Sequence, residues 1–133
     1  MARFGFSLLE MLIVVLLLGI LSAIAYPSYQ QYVLRSYRAE AITGLLEIAN
    51  RQEQLLADFG EYSADLHKLG VPAGETASGR YRIQVELLAN NQAYRLQMTA
   101  QGPQQQDNPC RRYSLNHLGQ RNSELSEPVS CWY

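Results

Sequence analysis

The chain has 133 residues, 47% of them hydrophobic and 17% charged, with a formal net charge of −1. That length accommodates one small folded domain once any membrane segment is set aside. The near-neutral balance excludes a general binder of polyanions while leaving room for a local basic patch.

The first element is Phe6–Tyr26, FSLLEMLIVVLLLGILSAIAY, whose 21 residues carry one charge, Glu10. At about 1.5 Å rise per residue, such a helix crosses the roughly 30 Å hydrocarbon core of a bilayer. A cleaved secretory signal competes with a retained membrane helix, since Ala23-Ile24-Ala25 offers a small-x-small site. The run is longer than a signal core of about 7 to 15 residues and holds an acid where such signals are basic, which favours retention. A carboxylate inside such a run costs a few kcal/mol unless paired or functional. The plain alternative is an anion in the first helical turn, where the backbone dipole is positive.

Met1-Ala2-Arg3-Phe4-Gly5, followed by Phe6-Ser7-Leu8-Leu9-Glu10, resembles the class III leader of a type IV prepilin, with Glu10 four residues beyond Phe6. The resemblance implies that a prepilin peptidase cuts between Gly5 and Phe6 and methylates the new Phe6 amine. The apolar run then stays in the mature protein, and Glu10 serves filament assembly. The leader carries one basic residue, Arg3. Basic residues flank the run on both sides, Arg3 before it and Arg35 and Arg38 after it, so charge alone does not orient it. The resemblance places the amino end in the cytoplasm, the remainder in the periplasm, and the assembled subunit in a surface pilus. Gly19 and Pro27, costly in a helix in water, resemble the bounds of the stretch that loosens when type IV pilins enter a filament.

After Pro27 the pattern becomes periodic. Leu34, Tyr37 or Arg38, Ala41, Ile42, Leu45, Ala49, Gln52, Leu56 and Phe59 recur at steps of three and four, with Gln52 as the polar break. Glu40, Glu47, Asn50, Arg51 and Glu53 fall on the opposite, wet side. One helix from about Phe6 to about Asp58 is expected, with an anchoring half over 6–30 and an amphipathic half over 31–59. Residues 60–79 hold Gly60, Gly70, Gly74, Gly79 and Pro72, and read as a loop with one helical turn around Asp65 to Leu69.

Period two follows within an expected sheet over 80–118. Tyr81, Ile83, Val85 and Leu87 alternate with Arg82, Gln84 and Glu86; Tyr94, Leu96 and Met98 alternate with Arg95, Gln97 and Thr99. A turn at Asn90-Asn91 sets Leu87 opposite Tyr94, Val85 opposite Leu96, Ile83 opposite Met98 and Glu86 opposite Arg95. Tyr113 and Leu115 suggest a third strand and Gly119–Asn122 a further turn. The fold class is α+β, a long helix laid on a small antiparallel sheet with one face buried and the other wet, and it resembles the type IV pilin fold.

Cys110 and Cys131 are the two cysteines. In an oxidising compartment they most simply form one disulfide; a metal pair lacks partners, because His67 and His117 stand alone. A bond closing 110–131 resembles the loop that pins the carboxyl-terminal region of type IV pilins. No cofactor, metal site or catalytic residue is expected, for want of a nucleophile elbow, a phosphate loop or a carboxylate pair.

Two kinds of function remain. One is a structural subunit, for which the short domain and the CRRYSLNHLGQ segment resemble a PilE-type minor pilin. Its expected partners are other pilins, the prepilin peptidase, the inner-membrane assembly platform and membrane lipid. The lesser alternative is a pilus-borne DNA receptor, resting on Arg82, Arg95, Arg111 and Arg112 together with Arg80 and Arg121. A type II secretion pseudopilin is the nearest other family, disfavoured by the disulfide.

Overall fold

The computed structural model describes residues 5–133; the first four leader residues, Arg3 among them, lie outside the described residues. Helix α1 runs from Leu8 to Phe59. The chain divides into two compact units, Met1–Val33 and Leu34–Tyr133.

In the first unit α1 opens after Ser7, whose carbonyl accepts the Met11 amide at 3.2 Å. The helix then continues without interruption through Gly19 and Pro27. Proline has no amide to donate, so the carbonyl of Ala23, four residues back, loses its helical partner. Over this stretch large apolar side chains are exposed on every side, including Leu8, Leu12, Val15, Leu18 and Ile24. Water would penalise such a surface all round, whereas hydrocarbon would not.

In the second unit α1 contributes Leu34, Ala41, Leu45, Ile48 and Gln52 as its buried residues. Three antiparallel strands, β1 (Tyr81–Leu88), β2 (Ala93–Ala100) and β3 (Arg112–Asn116), form one sheet in the order β1-β2-β3. The register pairs Leu87 with Tyr94, Val85 with Leu96, Ile83 with Met98 and Glu86 with Arg95, as the alternation required. Asn90 and Asn91 both take positive φ, joined by Ala89, and the Gln92 amide closes the turn on the Ala89 carbonyl. β3 adds Tyr113 opposite Met98 and Leu115 opposite Leu96, which completes the inner face. Gly44 lets that face approach α1 closely: a Cβ there would stand 2.9 Å from Met98 Cε.

Four expectations need correction. Gln52 is fully buried rather than a break in the stripe, because its amide forms a two-point clasp with the backbone of Ser63: Nε2 donates to the Ser63 carbonyl at 2.6 Å, and Oε1 accepts the Ser63 amide at 3.0 Å. Ile48, missing from the expected stripe, lies in the core, whereas Phe59 at its end is exposed. Glu40 is not simply wet: it accepts hydrogen bonds from the Ser78 amide at 3.0 Å and the Ser78 hydroxyl at 2.5 Å. The outer sheet face is not wholly wet either. The carboxyl-terminal segment runs along the free edge of β3, where Asn122 is buried, receives the Ser114 amide on Oδ1 at 2.9 Å and donates its own amide to the Ser114 carbonyl.

Candidate functional site

The candidate assembly residues sit at the start of the first unit. Gly5 and Phe6 precede the helix and Phe6 is exposed. Glu10 lies in the first turn of α1. Taking Ser7 as the residue before the helix, Glu10 stands three positions on, which matches the Ser-x-x-Glu pattern of a capping box. No cation lies within ion-pair distance of Glu10 among the described residues. Two local factors therefore favour a carboxylate at this position, the helix dipole and the unpaired amides of the first turn.

Cys110 and Cys131 form a disulfide with Cα atoms 5.6 Å apart. It ties the segment before β3 to a short 3₁₀ turn, Val129–Trp132. Trp132 lies buried edge-on to Tyr113, with ring centroids 5.9 Å apart, and its indole nitrogen donates to Asn122 Oδ1 at 3.0 Å. No group of three or more metal-binding side chains occurs among the described residues.

A buried polar cluster, not anticipated from the sequence, joins α1 to the stretch between β2 and β3. The Arg38 guanidinium donates through Nε and NH2 to the two oxygens of Asp107, which is 2% exposed. That hydrogen bonding raises the Arg38 pKa from its already high value. Gln104, on the 3₁₀ turn Gly102–Gln106, directs Nε2 toward the Leu34 carbonyl, the Tyr81 hydroxyl and Asp107 Oδ2. Burial, followed by the charge of Asp107, pushes the Tyr81 hydroxyl up to about 12.

The candidate anion contacts are dispersed. Register places Arg82, Thr99 and Arg112 in one row across the outer face, and Glu86, Arg95 and Asn116 in another. Arg95 donates to Glu86 at 2.6 Å and also pairs with Glu124. Arg112 makes a two-point contact with Glu127, at 2.7 Å from Nε to Oε1 and 3.2 Å from NH2 to Oε2. Burial, the largest single influence, works against ionised Glu127, yet the hydrogen bonds from Arg112, a backbone amide and Ser126, together with the Arg112 charge, outweigh it and hold the carboxyl below its usual range. Arg82 and Arg111 are exposed and without a carboxylate partner among the described residues. Arg80 lies 4.0 Å from the centroid of the Tyr37 ring.

Two open grooves flank the second half of α1. One, of about 590 Å³, lies between the helix and the loop from Gly70 to Ala77, and carries Glu40, Glu47 and Glu75 on its walls. The other, of about 490 Å³, lies between the helix and the carboxyl-terminal turn, and carries Arg35 and Arg38 with no acidic side chain in its lining.

Two family descriptions match the chain. Residues 1–26 match the prokaryotic N-terminal methylation motif, and residues 27–114 match "Type IV minor pilin ComP, DNA uptake sequence receptor". The chain belongs to the type IV pilin family. Among curated relatives, this pilin is 39% identical over 77 residues to the fimbrial protein EcpC of Eikenella corrodens, covering 58% of this chain and 49% of that one. It is 32% identical over 87 residues to the type IV major pilin protein PilE of Neisseria gonorrhoeae, covering 62% of this chain and 50% of that one. The chain therefore spans about half the length of the curated relatives it matches. In structure it resembles a type IV pilin from Shewanella oneidensis with a TM-score of 0.58 at 22% identity, over 75% of this chain and 98% of that one, a likeness of fold.

Proposed function

We propose that this pilin is a structural subunit of a type IV pilus, of the minor PilE type, held in the inner membrane before assembly and then built into or priming the filament. The observation that carries the reading is the first unit: an apolar helix exposing large hydrophobic side chains all round, most of it within the methylation-motif match over residues 1–26. Such a surface needs lipid first and like helices afterwards. On this reading residues 1–5 are removed by a prepilin peptidase at Gly5-Phe6, the Phe6 amine is methylated, and the anchor enters with its amino end in the cytoplasm. Gly19 and Pro27 bound the stretch that loosens on assembly, and no catalytic role is assigned. Gly5→Val is expected to leave an uncut, membrane-held precursor; a product of normal mature size from that variant overturns the reading.

A second reading, a pilus-borne DNA receptor, is supported by the family match over residues 27–114. Its test is binding of a random-sequence duplex by the full chain in detergent across a salt series. Phosphate contacts weaken linearly in log–log form with salt, with a slope of about −0.9 per contact. Binding that is absent at low salt overturns this reading without touching the first.

A further inference from the structure

The outer sheet face is a poor site for a polyanion, because two of its three arginines, Arg95 and Arg112, are already answered, while Arg82 stands without a carboxylate partner among the described residues. Arg95 lies between Glu86 and Glu124 and Arg112 is held by Glu127, so with Arg82 three cations face three carboxylates. An arginine engaged in two-point hydrogen bonding to a carboxylate has to give up that partner before it can take a phosphate. The guanidinium groups without a carboxylate partner therefore matter more.

Three of these gather around the carboxyl-terminal turn. Arg35, exposed on α1, lines the 490 Å³ cleft together with Arg38, Ile42, Trp132 and Tyr133. Arg121 stands with its guanidinium carbon 5.0 Å from the Trp132 ring centroid and 5.7 Å from that of Tyr133. Arg111 follows Cys110, which the disulfide joins to Cys131 on the same turn. None of the three has an ion-pair partner among the described residues. Asp107, an acidic side chain that meets the cleft's lining through Arg38, is taken by that arginine. Tyr133 is 88% exposed as a residue, so one wall carries an aromatic side chain open to solvent.

Free guanidinium groups beside an exposed aromatic residue, with no acidic side chain in the lining, match a nucleotide: phosphates for the arginines and a planar base for the ring. We propose that the cleft between α1 and the Val129–Trp132 turn is the DNA contact of this pilin, with Arg35 and Arg121 neutralising phosphates, Arg111 extending the track, and Tyr133 stacking on an unpaired base. The proposal rests on the DNA reading above and moves its site from the sheet to the carboxyl-terminal turn.

The test compares the full chain in detergent with Arg35→Gln, Arg121→Gln, the double variant and Tyr133→Ala, against a random-sequence duplex and a single-stranded oligonucleotide. Circular dichroism and an intact disulfide confirm folding, and Arg51→Gln, outside the cleft, controls for the loss of one positive charge. The double variant is expected to bind both DNAs at least tenfold more weakly and to flatten the salt slope by about two contacts' worth. Tyr133→Ala is expected to weaken the single strand selectively, because a duplex keeps its bases stacked. If the wild-type chain binds but the double variant matches Arg51→Gln in affinity and slope, the cleft is overturned and the DNA reading stands. Equal losses on both DNAs for Tyr133→Ala overturn the stacking role. No binding by the wild-type chain overturns the cleft and the DNA reading together.

Discussion

The Arg38 guanidinium grips the Asp107 carboxylate at two points, Nε to Oδ2 at 2.7 Å and NH2 to Oδ1 at 2.5 Å, across 69 positions of sequence. Asp107 is almost wholly out of water, so removing Arg38 leaves a charge that the surroundings cannot solvate. Arg38→Met is expected to destabilise the domain by about 3 kcal/mol in urea unfolding, and Asp107→Asn by somewhat less, because an amide still accepts from the guanidinium. The double replacement should cost less than the sum of the two; strict additivity would show that the pair is not coupled.

High pH probes the same region. Burial is the leading cause that pushes the hydroxyls of Tyr81 and Tyr94 up to about 12, and it raises Tyr113 as well. A raised folded-state pKa means that the stabilisation is complete below the unfolded phenol value of about 10 and is lost as pH climbs through the folded value. Melting temperature should therefore hold to about pH 10 and fall steeply between about 10 and 12. Tyr81→Phe removes one such group and should flatten the fall, while costing about 1 kcal/mol at neutral pH through the lost bond from Gln104. An equally steep fall in Tyr81→Phe would exclude Tyr81 from the transition.

The disulfide closes a loop with a sequence separation of 21. By the chain-entropy relation its removal should cost about 3 kcal/mol, and Cys110→Ser with Cys131→Ser should cost little more than either alone. Chemical unfolding of the three variants checks this. A pair of fully additive losses would point to packing around each cysteine rather than to the crosslink.

Glu10 can be tested with an unusually clean substitution. Glutamine keeps the capping ability of position 10 but removes its charge, so Glu10→Gln separates helix capping from pairing with a neighbouring subunit's Phe6 amine. The proposed assembly role predicts processed, membrane-resident Glu10→Gln protein that is missing from sheared filaments, reflecting about 3 to 5 kcal/mol lost on leaving a buried amine unpaired. Wild-type entry into filaments would reduce Glu10 to a capping residue.

How much was legible in the sequence follows the range of the interactions concerned. The hairpin register was readable because two eight-residue strands alternate cleanly around a turn that tolerates positive φ, and one register satisfies the whole apolar face. The Glu86–Arg95 pair came with it. Gln52 could have been recognised, since a polar residue seven positions after Leu45 and four after Ile48 lies on the buried stripe and calls for a buried partner. Asp107, Gln104, Glu124 and Glu127 gave no such signal: each acquires its role from a partner distant in sequence, and locally each looks like an ordinary loop residue. The same range effect hid the Glu127 partner of Arg112 and the second partner of Arg95, Glu124.

The Cys110–Cys131 bond encloses β3 and the stretch from Ser123 to Ser126, exposed except for the half-buried Leu125, within one covalent ring. A protease that finds this stretch on a surface-displayed subunit would open the ring without shedding a fragment, since both new ends stay attached through sulfur. Trp132 and the segment beside β3 would remain in place after the cut. A nicked subunit would then run at full mass until its disulfide is reduced, and only the reducing gel would reveal the break.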